Sequence, residues 1–295
     1  MKGGYDMVGT GTADDPYVVD NIADFRTACQ KSDAYVELSS DIDCNDNETM
    51  SDNFKTLSIY CHKIDGKGYS IRNIYTAINN DKSVFSFMSG RLAGGICNLN
   101  FENVFFNSTS CSFINSTSIS ASSSAKLYNC NFSGIINTSN SYAFCDYYIK
   151  AEKCTFNFKA ILPRSSGVIF SYLKAESCEF RLKIYSMKRC TINTGMIAVQ
   201  ADNSYVVGSW EFQEEDTSTS KTTLFTYSNH SYVAMSMKNA GTNIFFSTSS
   251  DPLTCFYDND LLENSEISEQ NNIYALTTEQ CKNKDYLNSI GFTVV

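Results

Sequence analysis

The chain has 295 residues, with 20 Phe, 18 Tyr and only 3 Pro, a composition that can bury a sizeable core and excludes intrinsic disorder. Its formal charge of −9 argues against nucleic acid as a partner. No run of roughly 18 apolar residues occurs, so no membrane insertion is expected.

The charge is uneven. Residues 1–50 hold 11 acids and 3 bases, residues 251–295 hold 8 and 2, and the middle holds 13 and 18. A mildly basic centre reads as ordinary solvated surface or as a face that meets an anionic polymer or partner. The 12 cysteines form no CxxC pair, and only His62 and His230 stand beside them. Metal-ligand spacing is therefore absent, and neither a metal site nor a cofactor is expected. The cysteines read as free thiols serving as small buried apolar residues.

In chain order, residues 1–33 read as an N-terminal arm and capping helix. Asp14-Asp15-Pro16 marks a turn made by side-chain to backbone bonds. Asp20 is the expected N-cap of a helix over residues 21–31, with Ile22, Phe25 and Cys29 on one apolar face. Ala34–Cys44 reads as the first strand region, with Asp41 and Asp43 on a common face.

From there to residue 262 the chain repeats itself. KLYNCNF begins at Lys126, KAEKCTF at Lys150 and KAESCEF at Lys174. Anchors at Leu99, Cys130, Cys154, Cys178, Trp210 and Met235 form one series. Phe85, Phe113, Phe144, Phe170, Ile197, Phe225 and Phe246 form a second. Both share a period of roughly 27 residues, and fixed periods of about 20–50 residues signal a solenoid. Within each repeat, apolar and polar residues alternate, as in Cys178-Glu-Phe-Arg-Leu-Lys-Ile184. Period two means strand, so the expected fold is all-β, a parallel β-helix. Phe101, Phe132, Phe156, Phe180 and Phe212 should then stack in one inner column, with Cys130, Cys154 and Cys178 in the next. The Ser/Thr-rich stretch Asn107–Lys126 keeps the coil in phase through Phe113, Ile114 and Ile119. Residues 263–295 read as a C-terminal cap or tail.

Chemistry is harder to find. Glu211, Glu214, Glu215 and Asp216 are the densest acids, and a solvated corner is the simpler reading. Glu211 and Glu215 are the fallback catalytic pair if the chain is an enzyme. Trp210 reads as core. His62 and His230 lack an identifiable partner and read as surface or corner residues. Tyr147, Tyr148, Tyr172 and Tyr185 recur on neighbouring coils and are the ligand-binding candidates, as platforms for sugar rings.

Three segments carry a resemblance. GTGTADDPYVVDNIADFRTACQ, IDGKGYSIRNIY (Ile64–Tyr75) and LTTEQCKNKDYLNSIGF (Leu276–Phe292) are similar to the opening, an early rung and the closing segment of right-handed, pectate-lyase-like β-helix proteins of bacteriophage appendages and bacterial surfaces. The resemblance implies a right-handed coil and a family that includes adhesins, tail and capsid appendages, and polysaccharide-cleaving enzymes. MKGGYDMVGTGTADD has no apolar core, so no secretion signal is expected. The expected function is a non-enzymatic virion component, a tail spike, fibre or decorating protein assembled in the host cytoplasm. Its partners would be other virion proteins or a host surface glycan, with a homotrimer open. A glycan depolymerase and a bacterial adhesin are the alternatives.

Overall fold

A computed structural model describes residues 7–44, 56–76, 83–87, 92–108, 111–116, 125–138, 142–162, 168–186, 198–212, 222–223, 225–229, 231–245, 255–267 and 273–289. Two 12-stranded sheets, all parallel in their strand pairings, wind into a β-solenoid. One sheet folds into two faces. Face A stacks Leu57–Ile59, Phe85–Phe87 and Ile114–Ser116. Face B stacks Tyr17–Val19, Tyr35–Leu38, Lys63–Asp65, Gly95–Cys97 and Ala125–Tyr128. The long strand Tyr142–Glu152 joins them, pairing Cys145 with Ile114 of face A and Ile149–Glu152 with Ala125–Tyr128 of face B. Val168–Glu176 lies on it, and Ala198–Asp202 on that. The second sheet is face C, whose central strands are Asn100–Ser108, Asn131–Thr138, Thr155–Leu162, Glu179–Ser186 and Tyr205–Phe212.

A left-handed residue turns the chain from face B to face C on successive rungs: Asn98, Asn129, Lys153, Ser177 and Asn203, with φ between 47° and 54°. Asn tolerates this region better than most residues. Its amide also bonds to the rung below, Asn129 Nδ2 donating to Asn98 Oδ1 at 2.8 Å. The next residue is small and inward: Cys130, Cys154 and Cys178 are fully buried.

The inner aromatic column forms as the repeat predicts, with one correction. Phe101, Phe132, Phe156 and Phe180 stack with centroids 4.9, 5.4 and 5.2 Å apart and near-parallel rings. Val206, not Phe212, follows Phe180; Phe212 pairs with Ser186. Trp210 is likewise not the successor of Cys178. That place belongs to Ser204, whose Oγ accepts from Cys178 N at 3.1 Å, and then to Ser231. The thiol column becomes a hydroxyl column, so the cysteine signal ends where the coil does not. Trp210 is a register partner of buried Ile184; its side chain lies outside the described residues. In the second series, Phe85, Phe113, Phe144 and Phe170 touch ring to ring in sequence, at 5.7, 5.5 and 4.9 Å. Ile197, Phe246 and Ile119 lie outside the described residues, as does the Phe225 side chain.

The N-terminal helix covers the first coil but starts later than expected. It spans Ile22–Cys29, and Asn21 rather than Asp20 is its cap, accepting from Asp24 N. Asp20 instead accepts from the Asn21 amide at 2.9 Å, which orients the cap. Phe25, Ala28 and Cys29 are its buried residues, and Ile22 packs against the core. The Cys29 carbonyl accepts from Tyr60 N and Cys61 N, so the helix sits beside the first strand of face A. A strand precedes it, Tyr17–Val19, where the first strand was expected only after residue 33. The turn before that strand closes on the Asp15 carbonyl, which accepts from the amides of Thr10, Gly11 and Thr12. Its side-chain acceptor is Thr12 Oγ1 rather than an Asp carboxylate. At the other end, strands continue to Leu276. Helices Thr278–Lys282 and Lys284–Ser289 then place Leu287 against Leu276, with Tyr232 beside them. Among the described residues no helix is long and apolar enough to cross a membrane.

Phe156 is fully buried between two stacked rings. Phe156→Ala should lower stability by about 3–5 kcal/mol through the cavity it opens, read as a shifted denaturation midpoint. The ten cysteines whose side chains are described are free, and seven are buried. Hydrogen bonds to Cys130 and Cys178, together with burial, push the Cys154 thiol far up, which keeps it protonated and inert. Thiol titration in denaturant without reductant should find these ten reactive, while the native chain reacts slowly at the buried seven.

Candidate functional site

Outward residues of face C form columns as regular as the inner ones. Between buried Phe156, Phe158 and Ala160 stand exposed Asn157 and Lys159; one rung on, Arg181, Lys183 and Tyr185 occupy the outward positions. The next rung adds Tyr205, Val207 and Glu211. Asn157, Lys159, Arg181, Lys183, Tyr205 and Val207 line a groove of about 760 Å³, and Tyr185 and Glu211 lie further along the same strands. Gly134 and Gly208 lie at its two sides, with φ of 148° and 138°. A Cβ at either would stand 2.0 or 1.8 Å from a carbonyl oxygen of the neighbouring strand, so only glycine fits both places.

The groove's polar groups are partly tied together. Arg181 Nε donates to Glu179 Oε1. That bond raises the Arg181 pKa. Burial, then the nearby Glu179, raises that of Tyr205. Lys159 Nζ lies 5.2 Å from the centre of the Tyr185 ring, a cation–π contact. Tyr185 and Tyr205 are 36% and 38% exposed, enough to present a ring face.

The sequence candidates divide between faces. Tyr185 and Glu211 come together as register partners on adjacent rungs of face C, and Glu211 is exposed as expected. Tyr148 and Tyr172 are partners on the other sheet, in the same strand stack as Tyr147; the side chains of all three lie outside the described residues. Glu214, Glu215, Asp216 and His230 lie outside them entirely. His62 is half-buried against the Tyr35 ring at 4.9 Å, a packed corner residue. Asp41 and Asp43 do share a face, and both pair with Arg72, at 3.7 and 3.1 Å. Among the described residues no cluster fit for a metal ion occurs.

Tyr205 was missed because the repeat was anchored on Trp210, six residues too late. Placing Ser204 in the Cys178 position sets Tyr205 opposite Glu179, an outward position. A second groove was missed although its residues open the repeated heptads. Lys126, Lys150 and Lys174 are register partners on face B, and Tyr128, Glu152, Glu176 and Asp202 form the adjoining outward column. Together they line a groove of about 440 Å³. The heptads drew notice for their Cys and Phe, while their first and third residues make this surface.

No protein-family model matches the chain, and no curated protein matches it.

Nearer the N-terminus the acidic column of face B reaches Asp65, which is 8% exposed. Burial opposes its charge, but Asn98 Nδ2 at 3.1 Å, the Lys67 amide at 3.0 Å and the ammonium groups of Lys63 and Lys67 outweigh it and lower its pKa. A lowered carboxyl pKa contributes stability above the unfolded pKa, and that stability is lost as pH falls through the folded value. Asp65→Asn should therefore cost about 1–3 kcal/mol at neutral pH and flatten the loss of stability below about pH 4. Chemical denaturation across the acid range reads both effects.

Proposed function

We propose that the chain is a non-enzymatic binding appendage, a right-handed β-helix carried on a bacteriophage virion, whose face C holds a host-surface glycan. The observation that carries this reading is the face C groove. Exposed Tyr205 lines it with Arg181, Lys183 and Asn157, and exposed Tyr185 stands two residues beyond Lys183 on the same strand. Aromatic faces with hydrogen-bonding neighbours suit sugar rings, and a rigid surface loses little entropy on binding. The virion assignment draws on the resemblance of the terminal segments. On face C the carboxylate spacing speaks against turnover. Glu179 and Glu211 stand six positions apart along adjacent rungs, roughly 20 Å at about 3.3 Å per residue, whereas glycosidase carboxyls lie about 5–9.5 Å apart.

Host capsular and wall polysaccharides should bind the intact chain without new reducing ends or unsaturated products. Tyr205→Ala and Arg181→Ala should each weaken binding about tenfold, the loss of a stacking platform or of a charged hydrogen bond. Binding unchanged in both variants would remove face C from the reading.

One observation favours a second reading, a glycan depolymerase. Glu152, Glu176 and Asp202 are register partners on successive rungs of face B, with backbones about 4.8 Å apart, near the separation of a retaining pair. Against it, Lys153 pairs with Glu152 at 3.7 Å and the lysine column runs alongside. A general acid needs apolar or like-charged surroundings to keep its proton. Turnover abolished by Glu152→Gln or Glu176→Gln, and retained in Glu211→Gln, would install the enzyme.

A further inference from the structure

Lys126, Lys150 and Lys174 alternate with buried Leu127, Ala151 and Ala175, so all three project outward from consecutive rungs. Like charges stacked across strands repel. Elsewhere on face B this is relieved internally: Lys63 pairs with Asp65, two residues on, at 3.4 Å. Lys150 and Glu152 have the same spacing, as do Lys174 and Glu176. Yet none of the three stacked lysines makes an ion pair within 4.0 Å among the described residues. Their ammonium groups face a groove whose opposite side carries Glu152, Glu176 and Asp202, with Tyr128 in the same column and 41% exposed. The two columns run parallel, about 6.6 Å apart along the strand, and repeat every rung at about 4.8 Å.

We propose that this groove binds a linear acidic polysaccharide lying along the solenoid axis, its anions on the lysine column and its hydroxyls donating to the carboxylate column. The Lys150–Glu152 and Lys174–Glu176 rungs each meet one repeat with a positive donor and a negative acceptor, while Lys126 beside Tyr128 and Asp202 beside Gln200 extend the two columns at either end. The Tyr128 ring gives one sugar a stacking surface, steadied by Lys153, whose Nζ is 5.3 Å from the ring centre. A polymer that carries charge alone satisfies only one column and meets the other as repulsion. Polyphosphate and nucleic acid are therefore poor fits, and a neutral glucan leaves the lysines unmatched. Face B and face C share no lining residue, so the two sites are tested separately.

Calorimetric titration of the intact chain with alginate oligosaccharides, polyphosphate and dextran tests the assignment. Alginate should bind, and its affinity should fall as salt rises. Polyphosphate should bind more weakly and dextran not at all. Lys150→Ala with Lys174→Ala should weaken alginate binding by about tenfold or more, the loss of two charged hydrogen bonds. Arg181→Ala on face C should leave it unchanged. Thermal melting of the double variant separates lost binding from lost fold; if it melts lower, Lys150→Gln alone carries the same expected direction. No alginate binding by the parent chain, binding indifferent to these lysines, or tighter binding of polyphosphate would overturn the proposal.

Discussion

The structure depends on parallel strands stacked in register at about 4.8 Å. Under that constraint each side chain lies directly on its equivalent in the coil before. Inside, rings can stack only if every coil supplies one at the same place, as Phe101, Phe132, Phe156 and Phe180 do. At the corner, the same left-handed turn must recur on each rung, and Asn98, Asn129, Lys153, Ser177 and Asn203 take it. Asn100 and Asn131, joined at 2.7 Å, apply the rule just past that corner. A misplaced residue would disturb the coils above and below it, so stability and register are one property here.

The same constraint builds the surfaces. A fold that stacks equivalents must also stack its outward residues, so functional groups occur as columns rather than as a convergent pocket. Face C carries Asn157 and Arg181 in one column and Lys159 and Lys183 in another. Face B carries lysines and carboxylates side by side. Lattices of this kind suit ligands that repeat along a line. On the proposed reading both grooves hold a polymer rather than cut it, with Glu179 tied to Arg181 and Glu152 to Lys153.

Much of the fold was legible because the core column uses large or unusual residues. Three nearly identical heptads fix the rung length through Cys130, Cys154 and Cys178, and two-residue alternation fixes strand over helix. Legibility failed where chemistry changed at constant geometry. Ser204 fills a cysteine position with a hydroxyl that satisfies the Cys178 amide, and Val206 fills a phenylalanine position. Trp210 and Phe212, which look more like their predecessors, drew the register six residues downstream. Asp20 and Asn21 are both good caps, and only the backbone decides between them. The sites were less legible for a different reason. An exposed lysine or tyrosine carries no signal by itself, and Lys126, Lys150 and Lys174 become a surface only once the register is known.

A double-mutant cycle tests that register most directly. Phe132 and Phe156 stack at 5.4 Å, while Phe101 and Phe180 stand three rungs apart in the same column. The stacked solenoid predicts a coupling of about 0.5–1.5 kcal/mol between Phe132→Leu and Phe156→Leu, with Phe101→Leu and Phe180→Leu additive to within about 0.5 kcal/mol. Additivity in the first pair, or coupling as large in the second, would contradict the stacked column.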